Sequence, residues 1–310
     1  MLSLLYMTFH LMVTDSVPAK PANIVEFPLK SRVELFSVRN RYEFSKSPFG
    51  FNTRDYSGLR PKNELYVGVY GQYRWIGLAY SRNVYGRKKD ANGNEIKATT
   101  MGLSAIGDKW GGIGTFHSYR GLAMVNRRNE KEVIYPNLKF RELAVSIYHV
   151  LNGEDFSMRA AISYSAQQMR SAGSFFIWLQ LNGQQWNALP SLQQDSVSIP
   201  IVKDDAPWKN VISAVPQLGY GYNVIFGTKG WGASILIHTG VGPAVLWSEH
   251  EPRQFKASWA LGAAAQVGYN GPKWYTYLHA DENCQSRIGF TNQSLYMVMQ
   301  NVLLTIGLRL

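Results

Sequence analysis

Three long runs of alternating residues between Val211 and Tyr269 constrain this chain more than any other feature. In each run every second residue is apolar, and the residues between them are mostly small or polar; in the first run Leu218 and Tyr220 share one face, and Gln217 and Gly219 lie on the other. Period-two alternation is the signature of a β-strand. Because strands of globular proteins average only about 5–6 residues, runs of this length favour a transmembrane β-barrel, whose crossings take about 9–11 residues and extend beyond the bilayer.

The same alternation recurs along the rest of the chain. Besides the three runs within 211–269, it predicts strands at 33–45, 64–72, 74–83, 98–109, 111–125, 139–151, 171–182, 274–282 and 294–310. We therefore predict an all-β fold, a transmembrane antiparallel β-barrel of about 12 strands, with 10 or 14 strands as alternatives.

The lengths of the connections support this interpretation. Residues 227–230 and 271–272 form short turns, whereas longer polar loops occupy 46–62, 84–97, 126–138, 183–210 and 283–293. Short turns on the periplasmic side and longer loops outside are typical of outer-membrane barrels. The misfit is 152–170, a long segment on the short-turn side, which we interpret either as an extra strand around 159–165 or as an irregular connection.

The N-terminal region divides into two segments before the barrel. Residues 2–13 are apolar and precede Val17-Pro18-Ala19, which resembles a cleavage site, but no Lys or Arg precedes Lys20. We expect an atypical signal peptide at 1–19, with a plain N-terminal strand as the alternative. Residues 20–32 are then a periplasmic lead-in, and 33–310 a single barrel.

The charge balance is basic. The net charge is +11, and residues 81–141 carry 12 Lys or Arg against 5 Asp or Glu, a balance of 12 − 5 = +7. Such a surface can bind nucleic acid, anionic lipid or acidic polysaccharide. No nucleic-acid motif accompanies the charge, so we expect it in loops and lumen and expect no nucleic-acid partner. With Cys284 as the single cysteine, an internal disulfide and a multi-thiolate metal site are excluded, and we expect no cofactor.

Candidate site residues follow from the inward face of the predicted strands. We predict that polar residues line the lumen at Lys109, His117, Arg120, Gln217, His238, Lys256, Gln266, His279 and Asp281. Outward aromatic residues form the predicted interfacial girdles at Trp231, Trp247, Trp259, Tyr269 and Trp274.

Two sharper interpretations of the polar residues are less favoured. His279 and Asp281 share a strand face and, with His238 and Cys284, suggest a metal site, but we favour a hydrogen-bonded interior network. His117 and Ser118 suggest a base and a nucleophile, yet neighbours on a strand point to opposite faces. The sequence contains no GxSxG, HExxH or P-loop motif, so we expect a protein that is not an enzyme.

A distinctive segment resembles a known family. The run from Ser163 to Phe175 (SYSAQQMRSAGSF), together with LYVGVYGQYRWIGLAY at 65–80, LGYGY at 218–222 and IGLRL at 306–310, resembles the DUF4421 family of uncharacterised Bacteroidetes proteins. The resemblance implies an outer-membrane β-barrel of unassigned function. Within this segment we predict that Arg170 is buried and paired with a carboxylate such as Asp155 or Asp195.

Three functions remain open for a bacterial outer-membrane barrel of this kind. The first is a narrow channel, either anion-preferring or solute-selective. The second is a structural scaffold whose loops, 126–138 and 183–210 above all, bind envelope proteins or lipopolysaccharide. The third, less favoured, is an outer-membrane lipid-modifying enzyme centred on His117. In each case outer-membrane lipids, including lipopolysaccharide, are the expected surroundings.

Overall fold

The computed structural model describes residues 23–45, 57–60, 65–85, 97–126, 131–187, 208–227, 230–249, 252–288 and 294–310. Within these residues one short helix, α1 (Met158–Ile162), and fifteen strands are present. In chain order the strands are β1 (Ile24–Glu26), β2 (Ser31–Ser45), β3 (Ser57–Arg60), β4 (Leu65–Tyr73), β5 (Ile76–Tyr85), β6 (Lys97–Ile106), β7 (Trp110–Asn126), β8 (Lys131–Val150), β9 (Ala166–Gln168), β10 (Ala172–Trp186), β11 (Lys209–Phe226), β12 (Trp231–Ser248), β13 (Gln254–Asn270), β14 (Trp274–Ile288) and β15 (Ser294–Arg309).

Twelve of these strands form a closed antiparallel barrel. The ring runs β2–β4–β5–β6–β7–β8–β10–β11–β12–β13–β14–β15 and returns to β2. The closing pair keeps a continuous register from Arg309 opposite Arg32 to Tyr296 opposite Ser45. Strand β3 is a short addition that pairs with β7 and touches β2. The predicted antiparallel barrel of about 12 strands is confirmed, and closure leaves no exposed edge in the ring.

The barrel is apolar outside and polar inside. On β15, Leu304, Ile306 and Leu308 are more than half exposed, whereas Thr305, and Arg309 after Leu308, are buried. On the other long strands large aliphatic and aromatic side chains are likewise exposed outside, and the buried inner face carries Gln, Asn and Ser side chains together with rings such as Phe140 and Tyr148. A soluble protein hides such an apolar face. The alternation read from the sequence therefore sorts residues onto a lipid-like exterior and a polar lumen.

Several strands extend further than their apolar residues predict. Strand β8 begins at Lys131, inside the predicted loop 126–138, β10 continues to Trp186, and β14 continues to Ile288 through the predicted loop at 283–293. These boundaries were wrong because backbone hydrogen bonds between neighbouring strands continue where the side chains have become polar. The predicted signal peptide at 1–19 lies outside the described residues. In the described part of the chain, no helix is long and apolar enough to cross a membrane.

The segment 152–170 is neither an extra strand at 159–165 nor an irregular connection. It contains α1 and then β9, which pairs with β1 so that Ile24 lies opposite Gln168 and Glu26 opposite Ala166. Residues 20–32 are correspondingly more than a lead-in, because they contribute β1 and the start of β2. We call residues 23–30 and 152–170 together the plug. It lies at the end of the barrel that carries the short turns, here named the short-turn end; the opposite end is the loop end.

Candidate functional site: the plug and the polar lumen

An ion pair anchors the plug to the barrel. The Nε and Nη2 groups of Arg159 donate to the two carboxylate oxygens of Asp108 at 2.9 and 2.7 Å, and its Nη1 group donates to Glu26 at 3.0 Å. Asp108 belongs to the turn between β6 and β7, so the contact joins α1, β1 and the barrel wall. Burial alone would lower the pKa of Arg159, but the two carboxylates outweigh it and raise the pKa. The guanidinium is therefore a fixed cation.

A buried amide network holds the start of the helix. Ser157 caps α1, and its hydroxyl accepts from the Ala160 amide and donates to Asp108. Gln168 accepts the Ser157 amide at 2.8 Å and donates to the Asp155 carbonyl at 2.6 Å. Asn223 of β11 donates both to Gln168 and to the Ser157 carbonyl, at 3.1 Å each. The barrel wall thus supplies hydrogen-bond donors to oxygen atoms of the plug, as buried polar groups require.

Two arginines of the barrel bind the carbonyl groups that follow the helix. Arg32 of β2 donates to the carbonyl of Ser163, and Arg309 of β15 donates to the carbonyl of Tyr164 at 2.7 Å. Arg309 also lies 3.6 Å above the ring of Phe27 in the N-terminal part of the plug. Tyr164 has φ of 51°, an uncommon value for a residue with a side chain. The two arginines hold the chain at this turn.

Apolar contacts complete the docking of the plug. Phe156, Met158 and Ala161 are buried against the barrel wall. Their partners come from four barrel strands and are Ile106, Tyr148, Val150, Phe176 and Leu236. The plug therefore contacts the wall around most of its circumference, because its carbonyl groups also accept hydrogen bonds from residues of three further strands: Arg32 on β2, Gln266 and Asn270 on β13, and Arg309 on β15. The short-turn end of the lumen is therefore occupied by protein.

Beyond the plug lies a cavity of about 330 Å³ that both polar and apolar side chains line. Ile162 of α1 forms part of its floor, and Trp178, Met297 and Met299 are among its walls. Its ionisable residues are Glu142, Asp281, Cys284 and the histidines at 117, 238 and 279, and no Lys or Arg is among its described lining residues. The described lining of this cavity therefore contains two carboxyl groups and no Lys or Arg, although the whole chain is basic.

Hydrogen-bonded side chains also bridge the lumen on the loop side of this cavity. Asn182 of β10 donates to Gln285 of β14 at 3.2 Å, and Gln285 donates in turn to Ser213 at 3.2 Å. Strands β10 and β14 are separated in the ring by three other strands. Buried Gln184 of β10 likewise donates to Glu142 and contacts Met297 of β15. Side chains therefore meet across the interior on this side of the cavity too.

The structure places seven of the nine predicted lumen residues on the inward face. His117, Gln217, His238, His279 and Asp281 line the cavity. Lys256 lies nearer the loop end, opposite the buried Ala244, and Gln266 contacts the Ala160 carbonyl of the plug at 3.5 Å.

Lys109 and Arg120 lie elsewhere, and for these two the prediction is wrong. Lys109 is an exposed residue of a short turn and pairs with Glu154 at 3.5 Å. Arg120 is exposed on the outer face that also carries Phe116. His117 and Arg120 are an odd number of residues apart, so one strand cannot point both inward.

The inward histidines belong to hydrogen-bonded networks. The Nδ1 atom of His238 lies 2.6 Å from the Gln217 amide oxygen, and its ring stacks on Trp178. The Nε2 atom of His279 lies 3.2 Å from Asp281, whose second oxygen accepts from Asn283 and Asn301. Among the described residues, no three His, Cys, Asp or Glu side chains are grouped closely enough to hold a metal ion.

The family-like segment contributes a different residue from the one predicted. Arg170 is exposed, so the prediction of a buried, paired Arg170 is wrong. Asp155 accepts hydrogen bonds from Asn23 and Asn152, and Asp195 lies outside the described residues. Arg159 and Gln168 make the buried contacts instead. The sequence did contain a signal for the helix. Serine is a residue type that caps helices, and Ser157 stands in a segment without strand alternation; in the structure it caps α1 by accepting from the Ala160 amide.

The predicted interfacial aromatics all lie on the outward alternation. Trp231, Tyr269 and Trp274 form a cluster at the short-turn end, with ring centroids 5.6 and 4.6 Å apart. Trp247 and Trp259 lie nearer the loop end of β12 and β13. Further exposed aromatic residues at the short-turn end, outside the predicted set, include Tyr73, Trp110 and Phe226.

A closed antiparallel barrel with an even number of strands, an apolar exterior and a polar interior defines the class of transmembrane β-barrel folds. Within that class, the chain belongs to the family described as a domain of unknown function, DUF4421, which matches residues 17–309. No curated protein sequence matches the chain.

Solved structures of outer-membrane proteins resemble the chain at low similarity. The outer-membrane protease OmpT from Escherichia coli shares 11% identity over 95% of this chain and 98% of its own, with a TM-score of 0.39. A bacterial polysaccharide outer membrane secretin shares 9% identity over 90% and 98%, with a TM-score of 0.37. A deletion mutant of the monoaromatic hydrocarbon channel TodX shares 10% identity over 91% of each chain, with a TM-score of 0.29.

Proposed function

We propose that the protein is an integral barrel of the bacterial outer membrane that is closed to diffusion and acts through its surfaces, as a scaffold for envelope lipids or proteins. The exterior supports insertion in a bilayer. On β13, Trp259 and Tyr269 are ten residues apart on the outward face. At about 3.3 Å per residue and a tilt of about 40° they are separated by about 25 Å along the barrel axis, the height of the apolar band of such barrels.

The plug is the observation that carries the closed state. It is fixed by the ion pair of the half-buried Arg159, by two arginines of the wall and by an apolar cluster, so opening the lumen requires all three sets of contacts to break. The hydrogen bond between Asn182 and Gln285 narrows the lumen further on the loop side. This arrangement favours the scaffold hypothesis over a passive channel. The cavity lining also argues against an anion preference, because it contains Glu142 and Asp281 and, among its described residues, no Lys or Arg.

Planar bilayers test the closed state. We expect no steady conductance from the refolded protein at 1 M salt, and stepwise conductance from a variant in which a Gly/Ser linker of equal length replaces residues 153–169. Heat-modifiable migration in gels checks that both proteins are folded barrels. Steady single-channel steps from the folded wild type would rule out the proposal and restore the channel hypothesis.

Membrane insertion is tested separately. We expect the refolded protein to float with phosphatidylcholine vesicles in a density gradient and to resist extraction by carbonate. In cell fractions we expect it with the outer membrane. A folded protein that stays in the soluble fraction in both experiments would contradict the membrane assignment itself.

A further inference from the structure

A groove of about 530 Å³ opens on the outer face of the barrel, towards the loop end of β7, β8, β10, β11 and β12. Its apolar walls are Phe116, Leu143 and Ile212, with Trp247 above them. Volumes of about 300–1,000 Å³ are typical of ligand pockets. Its remaining lining residues include the buried Glu142, which also lines the interior cavity. Because its apolar walls are outward residues, a groove of this size is accessible from the lipid.

The groove exists because one outward position has no side chain. Gly183 of β10 lies between Leu143 of β8 and Ile212 of β11 in the hydrogen-bonded register. A Cβ atom built on Gly183 would have the Leu143 carbonyl oxygen, 4.0 Å away, as its nearest neighbour, so the space above this glycine is open. A larger residue would fit sterically and would fill the groove. Packing within the protein therefore does not require glycine at this position.

Cations border the groove on its loop side. Arg141 is the next outward residue of β8 after Leu143 in the direction of the loop end. In the strand register it lies opposite Ser118 of β7 and Gln185 of β10. In the next row Arg120 lies opposite Lys139. In the part of the chain that the structure describes, none of these three cations forms an ion pair with a carboxylate.

The position of Arg141 is further defined by an aromatic contact. Its guanidinium carbon lies 5.2 Å from the centre of the Trp208 ring, within the range of a cation–π interaction. The side chain is held beside the groove while its planar donors remain available. Such a fork of donors suits the bidentate recognition of phosphate.

The groove lies about as far from the short-turn end as Trp259, the aromatic residue of β13 nearer the loop end. Phe116 is 116 − 110 = 6 residues above the short-turn end of β7, and Ile212 is 226 − 212 = 14 residues above that of β11. These values bracket the 270 − 259 = 11 residues between Trp259 and the short-turn end of β13. The apolar part of the groove therefore faces the upper edge of the apolar band, and the cations lie just beyond it.

We propose that this groove binds a phosphorylated, acylated lipid of the leaflet at the loop end. One acyl chain lies over Gly183 between the apolar walls, and the phosphate is bound by Arg141, with Arg120 and Lys139 adding positive charge. The phosphorylated lipid moiety of lipopolysaccharide has this chemistry. The inference deepens the proposed scaffold function and rests on it, because only a membrane-embedded barrel presents this face to lipid.

Native mass spectrometry of the detergent-solubilised full chain tests the site without requiring insertion. The probes are dioleoyl phosphatidate and dioleoyl phosphatidylcholine at equal concentration. We expect wild type to retain one phosphatidate at an apparent affinity at least tenfold above that for phosphatidylcholine. Arg141→Gln is expected to remove this preference by deleting the phosphate contact. Gly183→Leu is expected to weaken binding of both lipids at least tenfold by filling the groove without changing the charge.

Arg253→Gln is the matched control. It removes one exposed positive charge from the same end of the barrel but outside the groove, and we expect unchanged lipid retention. Equal retention of the two lipids by wild type would overturn the proposal. So would a loss in R253Q as large as that in R141Q, or unchanged binding in G183L when its migration in gels shows a folded barrel. Failure of vesicle flotation would instead contradict the proposed membrane location.

Discussion

Removing the Arg159 side chain is the most direct test of how the plug is held. In Arg159→Ala the three donated hydrogen bonds to Asp108 and Glu26 are lost. A hydrogen bond to a charged group contributes about 1.5–3 kcal/mol. The simple sum overestimates the effect, because the carboxylates keep 19% and 33% of their side-chain exposure and water can replace part of the contact. We expect a loss of about 3 kcal/mol in plug docking.

The assay is hydrogen exchange at the amides of Ala161 and Ser163. These amides donate to the carbonyls of Ser157 and Arg159, so their exchange requires the helix to open. At about 1.4 kcal/mol per factor of ten, R159A is expected to lower their protection by about 100-fold. Amides in the barrel strands should keep wild-type protection, because docking and barrel hydrogen bonding are separate.

Lys30→Ala provides the control for this measurement. Lys30 pairs with the same Glu26 at 3.2 Å but is half exposed. Exposed pairs contribute about 0.5 kcal/mol, so we expect less than about a threefold change in protection. Protection in R159A that changes as little as in K30A, with the barrel intact, would refute the assignment of Arg159 as the main polar anchor.

Three further perturbations have defined outcomes. Asn152→Ala should raise the pKa of Asp155, because hydrogen bonds from Asn152 and Asn23 now hold that pKa below its ordinary value. NMR titration of the Asp155 carboxyl carbon measures the pKa. In the wild type, the small stabilisation from this contact should be lost as the pH falls through the folded-state pKa. Tyr164→Ala should cost about 3–5 kcal/mol, since a large buried ring is removed. Tyr164→Phe should cost less, because it keeps the ring and loses only the hydroxyl contacts with the Gly232 carbonyl and Gln266; exchange at the plug amides separates the two variants. Ile237→Arg, on the outward face of β12, should cost about 2–4 kcal/mol in refolding into vesicles, against about 0–1 kcal/mol for Thr276→Arg near the short-turn end.

Each of these has an outcome that contradicts its reasoning. An unchanged Asp155 pKa in N152A would show that the amide does not stabilise the carboxylate. Equal exchange in the two Tyr164 variants would show that the ring does not contribute to docking. Equal refolding costs for the two arginine substitutions would show that depth in the bilayer does not matter at these positions.

The two mispredicted arginines and the charged residues of the cavity differ from expectation for particular physical reasons. Arg120 was placed in the lumen although its spacing from His117 puts it on the opposite face, so the alternation itself contained the correction. Arg170 was chosen as the buried cation because it stands in the family-like motif, but burial in the plug depends on how α1 turns, which places Arg159 inward. The charge of the cavity could not be predicted from the basic composition, because net charge does not reveal which strand face carries it.

The sequence by itself determined the barrel. Alternation is a relation between residues two apart, so the outward Leu and Ile, the inward Gln and Asn, and the approximate number of strands follow from local patterns alone. Only the tertiary structure decided what occupies the lumen. Arg159 meets Glu26 across 133 residues of sequence, and Asn182 meets Gln285 across 103. No local pattern encodes such contacts, because they form only when ring closure brings distant strands and the plug into one interior.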